Sequence, residues 1–239
     1  WIVPAATGHI QRWSARGELL AQIGDSDSFD SSDRSRSGEP LNSNSAQFFL
    51  PASVDVDESN GEIYVADGEL PGGNTRIAVF NADGSFQRQW RLHRDDNDNR
   101  IELPHCLRIS NDGLIYVCDR RADQIQVFDK QGELQQIIRA PHIPLSDSNG
   151  RASGVRGDTV VLGFSTDAEQ QYLYIVNQNS MTVEVLDRRT GDWITRFGGG
   201  PGRYPGQFEL PHGIAVDSDG NVYVAEQGGR RVQRFLLRP

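Results

Sequence analysis

Two histidines stand in near-identical surroundings in distant parts of the chain. The stretches ELPHCLRISNDGLIYVCD and ELPHGIAVDSDGNVYVAE, residues 102–119 and 209–226, each place one, His105 and His212, directly after Leu-Pro. Neutral imidazole is the commonest transition-metal ligand; three on rigid elements with an open fourth position make a catalytic zinc site, whereas two alone would bind weakly. The bland alternative is a Pro-His pair that packs at a strand start and bonds to backbone. Two charged residues accompany the pair. Arg120 follows the Asp that closes VCD, and a guanidinium there could grip a carboxylate as a bidentate pair or simply be solvated on its loop. Glu69, in VADGELPGGNTRI, offers a carboxylate that could act as a base. His9 and His142 read as surface or strand-edge residues, and His93 lies in the charged run HRDDNDNR.

The elements that must hold these residues are written as repeats. Beside the opening pair stand FLPASVDVDESNGEIYVADGELPGGNTRIAVFNADGSFQRQW from Phe49 and a worn copy, SGVRGDTVVLGFSTDAEQQYLYIVNQNSMTVEVLDRRTGDWITRFG, from Ser153. The chain opens inside a further copy, WIVPAATGHIQRWSARGELLAQIG. Copies recur every roughly 45 to 55 residues, the spacing of propeller blades. Each holds short alternating segments joined by Asp/Asn/Gly turns, the pattern of a four-stranded antiparallel meander. The predicted fold is therefore all-β, a single propeller domain with blade copies at about 1–24, 45–92, 100–139, 153–198 and 204–239. About 18 strands are expected, against about 24 for six full blades, so six blades require roughly 60 to 80 residues ahead of Trp1. Otherwise the ring is five-bladed with two thin blades. The polar run 25–46, DSDSFDSSDRSRSGEPLNSNSA, reads as a flexible loop at the channel face. A hairpin turning about Asp112 sets Cys106 opposite Cys118, where a disulfide is feasible, but small buried cysteines more often just pack, and free thiols are expected.

The unit LPHGIAVDSDGNVYVAEQGGRRVQRF resembles an NHL repeat, and the order of copies is similar to the peptidyl-α-hydroxyglycine α-amidating lyases (peptidylamidoglycolate lyases) and their bacterial relatives. That resemblance implies a zinc-dependent carbon–nitrogen lyase that splits a carbinolamide into an amide and glyoxylate. It implies His105 and His212 as two of three histidine ligands from alternate blades, with Ala52 in the place between them. It also implies Arg120 and the position of Glu69 as catalytic, although the family carries a tyrosine where Glu69 stands. The family's acidic calcium ligand aligns with Gly213, so calcium is not expected by that mode. Secretion, to an extracellular or periplasmic space, is implied by resemblance alone.

Composition narrows the partners. A net charge of −9 without concentrated Lys or Arg argues against nucleic acid. No apolar run reaches the roughly 18 residues of a membrane span. What is left is a monomer acting on a small-molecule or peptide substrate, or a non-catalytic propeller that binds a protein, peptide or glycan on its loop face.

Overall fold

The computed structural model describes residues 1–69, 71–94, 102–141 and 158–237; His142 and most of the HRDDNDNR run lie outside them. Among the described residues there are 17 strands in five antiparallel sheets, and almost no helix. The first sheet pairs β1 (Ile10–Trp13) with β2 (Leu19–Ile23). Three four-stranded meanders follow. The first holds β3 (Pro51–Val56), β4 (Ile63–Asp67), β5 (Arg76–Phe80) and β6 (Phe86–Arg91). The second holds β7 (Pro104–Ile109), β8 (Ile115–Asp119), β9 (Gln124–Phe128) and β10 (Leu134–Arg139). The third holds β11 (Thr159–Phe164), β12 (Tyr172–Asn177), β13 (Thr182–Asp187) and β14 (Trp193–Phe197). The last sheet has β15 (Pro211–Val216), β16 (Val222–Glu226) and β17 (Arg231–Phe235). The third strand expected in the first copy is reduced to one bridge, in which Ile2 and Gln11 exchange both backbone hydrogen bonds. No helix of the described residues is long and apolar enough to cross a membrane.

Sheets stack face to face in chain order, which explains the sequence pattern of each strand. Middle strands such as β4, β5, β8 and β9 are buried at every residue because a neighbouring sheet covers each face. Outer strands such as β10 alternate between half-buried and exposed. The core is accordingly a series of layers between sheets. One joins Tyr64, Ala66, Ile77 and Val79 to Leu107, Ile115, Val117 and Phe128; the next joins Tyr116, Ile125 and Val127 to Leu162, Leu173, Ile175 and Leu186. This is the propeller arrangement.

Polar ties on one rim add to the layers. Arg88 on β6 donates to both oxygens of Glu62 at 2.9 and 3.0 Å, to the Tyr64 hydroxyl at 2.9 Å, and through Nε to the Lys130 carbonyl of the next sheet. Arg188 repeats the device one blade on, reaching Asp112 at 3.0 and 3.1 Å and the Tyr116 hydroxyl at 3.1 Å. The Arg88 fork outweighs the cost of burial and holds Glu62 down at about 2. Its folded value lies below the ordinary 4.5, so its stabilisation is full above pH 4.5 and fades as pH falls toward 2. Glu62→Gln should therefore cost about 1 to 2 kcal/mol at pH 7, with the difference in melting temperature from the parent shrinking steadily between pH 4.5 and 2.

Three sequence expectations are corrected. Cys106 and Cys118 pair across β7 and β8 as expected, with Cα atoms 4.9 Å apart, but they form a disulfide rather than free thiols. Hairpin pairing brings the two Cβ atoms within reach, and burial of both sulfurs keeps them together. His9 is buried, not at the surface, and Gly24 packs against it. The polar run 25–46 is pinned. Its Asp30 is buried and accepts from Ser43 and from Asn74 Nδ2 at 2.9 Å, and it lies 3.5 Å from the fully buried Arg76. Polar composition did not prevent burial of Asp30 because its two oxygens found partners in Ser43, Asn74 and Arg76.

Candidate functional site

One recurring backbone device positions the site. The acid or amide that closes the second strand of each full sheet accepts the N–H of a residue just ahead of the first strand: Asp67 from Phe49 at 2.9 Å, Asp119 from Leu103 at 3.3 Å, Asn177 from Asp158 at 3.1 Å, and Glu226 from Glu209 at 2.8 Å. A second bond closes the ring of atoms. The N–H of Glu69, Arg120, Gln178 and Gln227 donates to the carbonyl of Leu50, Leu103, Asp158 and Leu210, the residue that precedes each first strand. These four residues are therefore one repeat position written four times. Each projects from the same rim, and all four line one open cavity of about 580 Å³, together with His212 and Glu226.

Below them lies the second residue of each first strand: Ala52, His105, Val160 and His212. The residue between the two histidines is thus Val160, and Ala52 belongs to the sheet before His105. The worn fourth copy hid this, since its first strand lacks the Leu-Pro mark. Val160 has its own part in the site. Its carbonyl accepts from His105 Nδ1 at 2.7 Å, which places a proton on Nδ1 and leaves Nε2 for a second partner.

That Nε2 atom is buried and has no partner along a hydrogen-bond direction. The His105 ring is 6% exposed, and its centroid lies 5.2 Å from that of His212 with the rings edge to face. Two imidazoles with nitrogens about 2 Å from one ion at tetrahedral angles have centroids about 5 Å apart, so the separation fits shared ligation. Glu69 Oε2 is 3.2 Å from the same Nε2. Two lone-pair atoms that close repel unless a cation, a proton or a metal ion, sits with them. Among the described residues, no three His, Cys, Asp or Glu side chains form a complete metal cage.

Electrostatics follow from this crowding. Burial pushes Glu69 up, but His105, Arg120 and His212 outweigh it and hold its carboxyl below the usual range. Burial pushes His212 down, reinforced by His105 and Arg120, so it stays neutral at pH 7 and able to bind a metal. Arg120 is not a free fork. Its Nε and Nη2 grip Asp158 at 2.6 and 2.8 Å, and Nη2 also reaches Gln178 Oε1 at 3.3 Å. The expected bidentate edge is therefore occupied, and Nη1, 3.9 Å from Glu69, is the end left toward the cavity.

The structure thus brings together His105, His212, Glu69 and Arg120. Sequence reasoning missed Asp158, Gln178, Glu226 and Gln227. Aligning the residue after VCD, IVN and VAE would have found Gln178 and Gln227, whereas after VAD that place is Gly68 and Glu69 stands one residue further on; Asp158 carries no such mark.

NHL repeats are recognised at residues 103–128 and 208–235. The chain is 31% identical over 195 residues to peptidyl-glycine alpha-amidating monooxygenase B of Xenopus laevis, covering 79% of this chain and 20% of that protein. It is 26% identical over 212 residues to peptidyl-alpha-hydroxyglycine alpha-amidating lyase 1 of Drosophila melanogaster, covering 80% and 36%. It therefore spans well under half the length of either relative. Among solved structures, a streptogramin B lyase superposes with a TM-score of 0.58 at 16% identity, over 100% of this chain and 68% of that one, a likeness of fold. With the sheets, the repeats and these relatives in agreement, the chain is an NHL-repeat β-propeller resembling the peptidyl-α-hydroxyglycine α-amidating lyases.

Proposed function

We propose that the cavity is a metal-dependent lyase centre that cleaves a peptidyl-α-hydroxyglycine-type carbinolamide to an amide and glyoxylate. The observation that carries this reading is His105. Its Nδ1 is held by a backbone carbonyl, its buried Nε2 lies 3.2 Å from the Glu69 carboxylate, and its ring stands 5.2 Å from that of His212. A second ring nitrogen bonded to a carbonyl is the usual support of a metal-ligating histidine. His105 and His212 would hold zinc, which supplies Lewis acidity toward a substrate hydroxyl when bound.

The chain's own residues account for the rest. Glu69, kept ionised, takes the hydroxyl proton. The O–H electron pair becomes the C=O of glyoxylate, the C–N bond breaks, and the amide nitrogen leaves with the C–N pair and takes the proton back from Glu69. Arg120 Nη1 steadies the carboxylate that becomes part of glyoxylate. Glyoxylate release from an α-hydroxyglycine peptide by the zinc-loaded protein is the direct test. Glu69→Gln should retain zinc and slow release about 10²- to 10⁴-fold. No release by the parent would sink the reading.

The family's tyrosine is absent at Glu69, and this favours a second reading, a non-catalytic propeller that binds a protein, peptide or glycan on the cavity face. The same assay separates the two.

A further inference from the structure

The guanidinium of Arg120 can be accounted for bond by bond. Of its five N–H groups, Nε–H and one on Nη2 go to Asp158, and the other on Nη2 goes to Gln178 Oε1. Among the described residues both on Nη1 stay open, since Glu69 at 3.9 Å is beyond hydrogen-bond reach. Asp158 is itself fixed at both backbone atoms. Its N–H donates to Asn177 Oδ1 at 3.1 Å and its carbonyl accepts from Gln178 at 2.9 Å. Gln178, with its oxygen taken by Arg120, turns its amide NH₂ into a donor. Arg120 and Gln178 therefore bring donors, Nη1 and Nε2, to one cavity that Glu69 and Glu226 also line, with the Glu69 carboxylate 3.9 Å from Nη1.

We infer that Asp158 is a positioning residue and Gln178 a binding residue, which together make Arg120 half of a two-residue donor cradle. The cradle reads a carboxylate whose neighbouring carbon carries a hydroxyl or amide N–H donor, with that donor turned toward Glu69. This deepens the lyase reading and rests on it for the identity of the substrate, but the cradle is a statement about binding. It separates an N-acyl amino acid from its amide, since the amide replaces one acceptor oxygen by a donor that meets Nη1 head on.

Calorimetric titration with N-acetylglycine and N-acetylglycinamide tests it on the intact protein without turnover. The parent should favour the acid about tenfold or more, the effect of a charge-assisted hydrogen bond. Asp158→Asn should bring the ratio close to one, with Asp158→Glu restoring part of it, and Gln178→Glu should abolish acid binding by putting a negative oxygen in the cradle. Melting curves identify any variant that has lost the fold, and Gln178→Asn then stands in for Gln178→Glu, with the ratio falling as the shorter amide pulls away. An acid preference that survives Asp158→Asn in a folded variant overturns the inference, as does a parent with no preference. A parent that prefers the acid but releases no glyoxylate leaves the cradle standing and removes the lyase.

Discussion

Zinc retained at about one ion per chain after gel filtration should be lost from a His105→Ala, His212→Ala double variant, and each single variant should bind at least about 100-fold more weakly than the parent. The size of the effect follows from how little else is available. The two rings are the chain's imidazoles at that place, 5.2 Å apart, and His105 is already oriented by Val160 without any metal. Loading needs a neutral ring, and burial lowers the value at which His212 gains a proton, so retention should hold through neutral pH and fail on acidification as His212 takes its proton. Elemental analysis across pH 5 to 8 reads both effects. Full zinc retention by the double variant is the outcome that ends the metal proposal.

Arg76→Met should destabilise the protein by about 3 to 5 kcal/mol, the cost of leaving buried charge without its partner. Arg76 is fully buried. It donates through Nε to Asp67 at 3.0 Å and lies 3.5 Å from Asp30, while Asn74 bridges the two carboxylates at 2.8 and 2.9 Å. Burial pushes Asp67 up, opposed by Arg76, by Asn74 and by the Phe49 N–H. Without the guanidinium, two carboxylates face each other in a dry layer. For a chain of this size the loss lowers the melting temperature by about 10 °C. A second readout is specific to this cluster: the run 25–46 should become open to limited proteolysis before the sheets unfold, since Asp30 is its anchor. Replacing Arg76, Asp67 and Asp30 together by apolar residues should recover much of the stability. A melting temperature within a degree of the parent for Arg76→Met would show that the cluster does not carry this weight.

What was legible in the sequence was local or periodic. Alternation and turn residues predict strands within a copy, and the copies predict stacked sheets; the one shortfall, Ile2 and Gln11, is a strand worn down to a bridge. His105, His212, Glu69 and Arg120 were visible because they stand at fixed places in a repeat. Asp158 was not, because its partner Arg120 is on the preceding sheet, and a salt bridge between sheets leaves no spacing rule in the chain. Polar composition misled at the run 25–46. Asp30 is buried by neighbours far along the chain, and composition cannot count partners that only folding supplies. Hairpin arithmetic gave the facing of Cys106 and Cys118 but not their oxidation, which depends on side-chain approach after the strands pair.

The rim position held by Glu69, Arg120, Gln178 and Gln227 is fixed by main-chain bonds alone, whichever side chain it carries. An anion, a cation and two amides already occupy it without altering the sheets beneath. The chain therefore holds four letters over an unchanging page, with Arg120 and Gln178 read as a pair because one donates to the other, and a new ligand can be spelled there without rewriting the blades.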